Sequence, residues 1–185
     1  MQRPWLAQYP AGVPADIDVH AYASLKAMLA DCVARFADRP AYESMGCVLS
    51  FRQLDEASLA FAAWLQKDAG LRRGDRVALM MPNLLQYPVA LFGVLRAGMV
   101  VVNTNPLYTP RELQHQLADA GVAAIVVLEN FAHTLQQVVG ATPVRTVVTT
   151  QVGDMLPPLR RMLTNAVVKH VTKMGPPCRL AAAVD

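Results

Sequence analysis

Four histidines, three cysteines and four serines are the side chains in this sequence suited to metal ligation or nucleophilic attack. His20, His115, His133 and His170 are scattered, with no H-x-x-x-H spacing, and Cys32, Cys47 and Cys178 form no C-x-x-C pair, so no metal site is written locally. None of Ser24, Ser44, Ser50 and Ser58 lies in G-x-S-x-G, the turn that exposes a hydrolase nucleophile. Gly93-Val94-Leu95-Arg96-Ala97-Gly98 has the glycine spacing of a phosphate loop, but Met99-Val100 stand where Lys and Ser/Thr are required. A G-x-G-x-x-G fingerprint is missing as well. Gly98 is better read as a helix C-cap and Gly93 as a close-packing position.

One segment keeps a chemical possibility. Asn103-Thr104-Asn105-Pro106-Leu107-Tyr108-Thr109 follows a strand pattern and runs into a helix start. Free N–H groups and the positive end of a helix dipole favour anionic ligands, so such a loop could touch a phosphate-bearing cofactor. An ordinary strand-to-helix connection explains it equally well.

The elements that would position this loop are legible from periodicity. Leu25, Met28, Leu29, Cys32, Val33 and Phe36 form an amphipathic stripe over residues 24–39, stopped at Pro40. Residues 41–43 and 47–50 flank Ser44-Met45-Gly46 as a short hairpin. Ser50 and Gln53 form a capping box, opening a helix with Leu54, Ala57, Phe61, Trp64 and Leu65 on one face and ending at Gly70. The pattern then alternates: strand 76–81, helix 84–97, strand 99–103. Thr109-Pro110-Arg111-Glu112 combines a capping box with proline at the first helical position. That helix ends at Gly121; strand 122–128, a helix over 131–139 capped by Asn130, and strand 144–150 follow. Strands that read as continuous apolar runs imply burial on both faces, as in a parallel sheet covered by helices. The expected fold class is α/β: a three-layer, mostly parallel sheet flanked by helices, with a short N-terminal hairpin. Residues 1–40 read as an arm and helix, 41–150 as the α/β subdomain and 151–185 as a basic amphipathic tail.

Residues 77–95 carry no charge over nearly the length of a membrane span. Pro82, Asn83 and Pro88 interrupt them, and a buried strand followed by a buried helix is the preferred reading. At 54% hydrophobic and 17% charged, the 185 residues suit one globular domain. Three widely spaced cysteines argue against a disulfide framework, and a reducing cytoplasm is the expected setting. The start, MQRPWLAQYPAGVP, has no apolar run of the secretory kind.

The net charge of +3 is uneven. Basic and acidic residues balance over 1–150, while Arg160, Arg161, Lys169, Lys173 and Arg179 outnumber Asp154 and Asp185 in the tail. Leu159, Met162, Leu163, Ala166, Val167, Val171 and Met174 recur at helical spacing there, with the basic residues mainly on the other side. Residues 155–174 could therefore lie on a membrane surface, or pack on this domain or another. Nucleic acid is disfavoured, because the tail has no aromatic residue to stack on bases.

A family resemblance rests on long phrases rather than single residues. FADRPAYESMG, LSFRQLDEASLAFAAWLQ, LRRGDRVALMMPNLLQYPVALFGVLRAGMVVVNTNPLYTPRELQHQL and AIVVLENFAHTLQQVV resemble the N-terminal third of bacterial long-chain fatty acyl-CoA synthetases, AMP-forming ligases of the adenylate-forming group. The resemblance implies a two-step reaction in which a long-chain fatty acid and ATP, with Mg²⁺, give an acyl-adenylate that CoA then captures. The family's phosphate loop, adenine contacts, catalytic Glu and C-terminal Lys come later in sequence, so no catalytic residue carries over. The loop matching Asn105, Pro106, Leu107 and Tyr108 lies near the CoA entrance in the family, and these four are the expected cofactor contacts. The chain on its own is expected to be inactive, in a cytoplasmic setting, peripheral on the inner membrane face if the tail binds lipid. A homodimer is left open. The competing expectation is a non-catalytic module that binds a membrane surface or a partner through residues 155–174.

Overall fold

The computed structural model describes residues 2–171 and 183–184. The N-terminal arm has little regular structure beyond a short 3-10 turn at Pro4–Gln8, and helix α1 follows at Leu25–Phe36, capped by the Ser24 hydroxyl. Strands β1 (Pro40–Ser44) and β2 (Cys47–Ser50) pair antiparallel. Met45 and Gly46 between them both have positive φ (52° and 67°), the conformation a two-residue hairpin turn of matching twist demands. Helix α2 (Phe51–Lys67) begins with the expected box: the Ser50 hydroxyl accepts from Gln53 N, and Gln53 returns the bond to Ser50 N.

From there the chain is doubly wound. Strands β3 (Arg76–Met80), β4 (Val100–Asn103), β5 (Val122–Leu128) and β6 (Thr146–Thr150) alternate with helices α3 (Gln86–Arg96), α4 (Pro110–Asp119) and α5 (Ala132–Gln136). Helix α6 (Pro158–Ala166), a π-helical turn at Val167–Val171 and the two-residue strand β7 (Ala183–Val184) complete the described chain. The sheet order is β4-β3-β5-β6-β7, with every neighbouring pair parallel.

Two cores lie on the two faces. On one, Ala62 and Leu65 of α2 and Ala90 and Val94 of α3 pack on Val77, Leu79 and Val126. On the other, Leu113 and Leu117 of α4 and Leu135 of α5 pack on Ala78, Met80, Ile125 and Val127. Successive residues of β3, and of β5 from Ala124 onward, thus enter opposite cores, which is why both strands read as unbroken apolar runs. Leu113 and Leu117 are fully buried, each burial worth about 1.5–3 kcal/mol. A third cluster joins Leu29 of α1 to Leu49, Leu54, Leu85 and Phe92.

The uncharged stretch 77–95 divides into β3, a loop and α3, and among the described residues no helix is long and apolar enough to cross a membrane. Pro88 falls in the first turn of α3, where its missing N–H has no intrahelical partner to lose. Gly98 does terminate α3 at φ 76°, and Gly93 is a contact point: a Cβ there would sit 2.7 Å from Phe61 Cδ1.

Two expectations change. β4 is an edge strand with Val100 47% exposed, so its apolar composition does not mean burial on both faces. The stretch after β5 is a 3-10 turn, Glu129–Phe131, followed by five residues of α5; the capping position falls at Phe131 and carries no side-chain cap, so Asn130 is not the cap. The residues of the basic tail beyond 171, apart from β7, lie outside the described residues.

Candidate functional site

In a doubly wound sheet, ligands settle outside the carboxyl ends of the strands, at the point where the strand order reverses. Here that point lies between β3 and β5. β3 leaves through residues 81–85 toward α3 on one face, while β5 leaves through Glu129–Phe131 toward α5 on the other. Phe131 touches both cores, so its ring lies where the two faces meet. Pro82 and Asn83, just past the end of β3, are exposed. An open groove of about 350 Å³ runs from Asn83 and Leu84 to Tyr42 and Ser44 on the hairpin.

The loop after β4 forms the outer part of the same edge. It brings Asn105, Pro106, Leu107 and Tyr108 into one turn. Asn105 Oδ1 accepts from Leu107 N (3.0 Å) and Asn105 O from Tyr108 N (3.2 Å), a side-chain-supported turn of the kind asparagine favours. Tyr108 packs against the α4 core and Leu107 stands 79% exposed at the tip. The root of the loop is clamped from both faces. The Tyr87 hydroxyl of α3 donates to Asn103 Oδ1 (2.8 Å), and Gln116 Nε2 of α4 donates to Asn103 O (3.0 Å). Thr104 is buried and donates its N–H to Leu79 O.

The helix start behind this loop is already satisfied. Thr109 N and Thr109 Oγ1 both donate to Glu112 Oε2 (2.8 Å each), while Glu112 N donates to Thr109 Oγ1. The backbone and hydroxyl donors of Thr109 hold the Glu112 carboxyl below its ordinary value. The Glu112 carboxylate thus takes up the N–H and hydroxyl of Thr109. Part of the donor capacity of the α4 N-terminus is used within the chain, and the capping box read from the sequence already carried that signal.

ATP and Mg²⁺ do not fit the residues described. No group of three or more His, Cys, Asp or Glu side chains among them could hold a metal ion. No glycine-rich phosphate cradle is built either, since Gly93 and Gly98 pack on Phe61 and Arg73. Of the scattered histidines, His115 on α4 is exposed, while His133 on α5 is half-buried, its Nε2 3.3 Å from Thr134 Oγ1 and its Nδ1 buried without a partner. Cys32 and Cys47 are free thiols, both half-buried.

Sequence reasoning found the β4 loop but missed the clamp on Asn103 and the reversal between β3 and β5. Both depend on which strands become neighbours, which local periodicity does not encode.

Comparison with known proteins agrees with this architecture. The family described as AMP-binding enzyme matches residues 29–182. The long-chain-fatty-acid–CoA ligase of Yersinia pestis is 57% identical over all 185 residues, and that of Escherichia coli O157:H7 is 56% identical over the same span. The chain covers 33% of the length of each of these relatives. Among solved structures, a benzoate CoA ligase from Burkholderia xenovorans LB400 superposes with a TM-score of 0.64 at 25% identity, covering 85% of this chain and 30% of that one.

Proposed function

We propose, since this chain belongs to the AMP-binding enzyme family, that it is the N-terminal part of a ligase that activates long-chain fatty acids as acyl-adenylates and transfers them to CoA. The observation that carries this reading is identity above half, sustained over the whole chain, to relatives bearing that name. In such chemistry ATP would supply the adenylyl group, with pyrophosphate leaving, and Mg²⁺ would neutralise the triphosphate. We assign their binding to residues that follow in the longer protein, because the residues described here do not fit them.

The chain's own part is positional. Its parallel sheet fixes a row of loop mouths on one edge, and the turn Asn105–Tyr108 is our choice for contact with CoA. The root of that turn is held from both sides through Asn103, which supports a fixed place for it beside the sheet edge. The segment 41–150 is the structural unit of this reading, with 1–40 and 151–185 as its flanks, in a cytoplasmic protein.

A second reading, a non-catalytic module docking on lipid or a partner through the tail, has one favouring observation: the apolar side chains of α6 are exposed.

The ligase reading is tested with a joined chain, these 185 residues followed by the remainder of the Yersinia pestis relative. Long-chain acyl-CoA formation from fatty acid, ATP and CoA is expected. A folded joined chain that forms none contradicts the reading.

A further inference from the structure

Helix α6 sits on the body with its polarity inverted. Arg160 Nη2 donates to Met45 O (2.6 Å) and Nη1 to Cys47 Sγ (3.4 Å), reaching the hairpin. Arg161 lies 3.4 Å from Asp154, and Asn165 accepts from Gly153 N at 2.7 Å. The fit at Gly153 is close: a Cβ there would meet Asn165 Oδ1 at 2.6 Å and Arg161 O at 3.0 Å. The polar side is thereby the attached side. Leu159, Met162 and Leu163 of α6, at i, i+3 and i+4, and Val167 at the start of the π-helical turn that follows, are 46–66% exposed on the other, and no residue of α6 is buried. A surface helix ordinarily turns that stripe inward.

We infer that this outward face of α6 is an internal docking surface, covered by the polypeptide that follows the matched third in a full-length ligase. The inference rests on the reading of this chain as part of such an enzyme.

Three observations choose that occupant. First, the relatives are longer: the chain spans 33% of their length. β7 runs parallel to β6, so its carboxyl end points to the same sheet edge from which the α6 segment departs. Second, four apolar side chains fall far short of the roughly 20–30 residues and ~800 Å² per side of a stable interface between separate molecules. A covering segment on the same chain incurs no translational cost and needs no such area. Third, a helix that lies on anionic lipid directs its basic residues to the headgroups. Arg160 and Arg161 are instead bonded within the chain, to Met45 O and Asp154, while remaining exposed. An apolar stripe whose neighbouring arginines are already engaged within the chain matches a protein contact.

The test compares the free 185-residue chain with the joined chain. Leu163→Cys is labelled with a thiol reagent and read peptide by peptide. Labelling at 163 is expected to be at least about tenfold slower in the joined chain. The pair Met162→Glu and Leu163→Glu is expected to leave the thermal midpoint of the free chain unchanged and to lower that of the joined chain by roughly 5 °C or more. Equal labelling and equal midpoints overturn the inference even where the joined chain makes acyl-CoA. Protection in a joined chain that makes none leaves the docking surface standing and rejects the ligase reading. Pelleting of the free chain with phosphatidylglycerol vesicles, or its dimerisation, lost in the Glu pair while labelling stays equal, overturns it in favour of lipid or a second copy.

Discussion

Arg96 of α3 grips Asp55 of α2 at two points, donating from Nη2 to the carboxylate and from Nη1 to the Asp55 carbonyl oxygen (2.7 Å). The same Nη1 donates to Ser58 Oγ at 2.8 Å. The two charged side chains are 17% and 30% exposed, so the pair is shielded enough to matter and wet enough to avoid the full cost of burying charge. It locks the two helices that cover one face of the sheet. Through α3 it also sets the position of Tyr87, which holds Asn103 at the root of the β4 loop.

Arg96→Met is therefore expected to destabilise the chain by about 2 kcal/mol, since it leaves the buried Ser58 and half-buried Asp55 acceptors without their donor. Urea unfolding measures it. Asp55→Asn, which retains an acceptor, is expected to cost less than Arg96→Met.

Gly93→Ala tests the contact between the same helices. Alanine gains up to ~1 kcal/mol in intrinsic helix propensity. Its methyl would press on Phe61 at 2.7 Å and on the Ser58 carbonyl at 3.2 Å, and crowding of this kind costs typically ~1–3 kcal/mol. Net destabilisation is the expected result, partly relieved by adding Phe61→Leu. A more stable Gly93→Ala protein would show that α2 and α3 are not in contact there.

Much of this local structure was legible in the sequence because its causes are local. Ser50 with Gln53 and Thr109 with Glu112 are complete capping signals within four residues, and both close as read. Met45-Gly46 can adopt the left-handed turn that fixes the hairpin. The even apolar runs of β3 and β5 reported two buried faces. Strand order was not legible, because parallel neighbours are brought together by tertiary packing across long separations, as with Ala78 beside Ile125. The same holds for α6. A helical wheel separates Arg160 and Arg161 from Leu159, Met162 and Leu163, but only the Gly153–Asp154 turn and the hairpin decide which side is attached. At Asn130 a favourable capping residue met a backbone that tightens into a 3-10 turn, and the tertiary path of the chain prevailed.

Acid titration addresses the α4 start. The folded-state value of Glu112 is depressed, so its contribution to stability is complete above the ordinary glutamate value and is lost as pH falls through the lowered one. Carboxyl carbon NMR should place Glu112 below an ordinary glutamate, and Thr109→Ala, which removes the hydroxyl but keeps the backbone N–H, should bring it part of the way back up. An unshifted Glu112 in the parent protein would contradict the capping bonds at this helix start.

Leu107 makes its own case for the CoA contact. At 79% exposure it contributes little to folding, so Leu107→Ala should leave the thermal midpoint unchanged. In the joined chain it should raise KM for CoA a few-fold with kcat little altered, the mark of lost ground-state binding. Unchanged KM would remove the turn from the CoA path.

ATP–pyrophosphate exchange bears most directly on the central claim, that this sheet frames a ligase site whose ATP-handling residues lie elsewhere. Assayed with a long-chain fatty acid and Mg²⁺, the pure 185-residue chain should show background only, and the joined chain should show exchange that depends on the fatty acid. Fatty-acid-dependent exchange by the 185 residues alone would contradict the account.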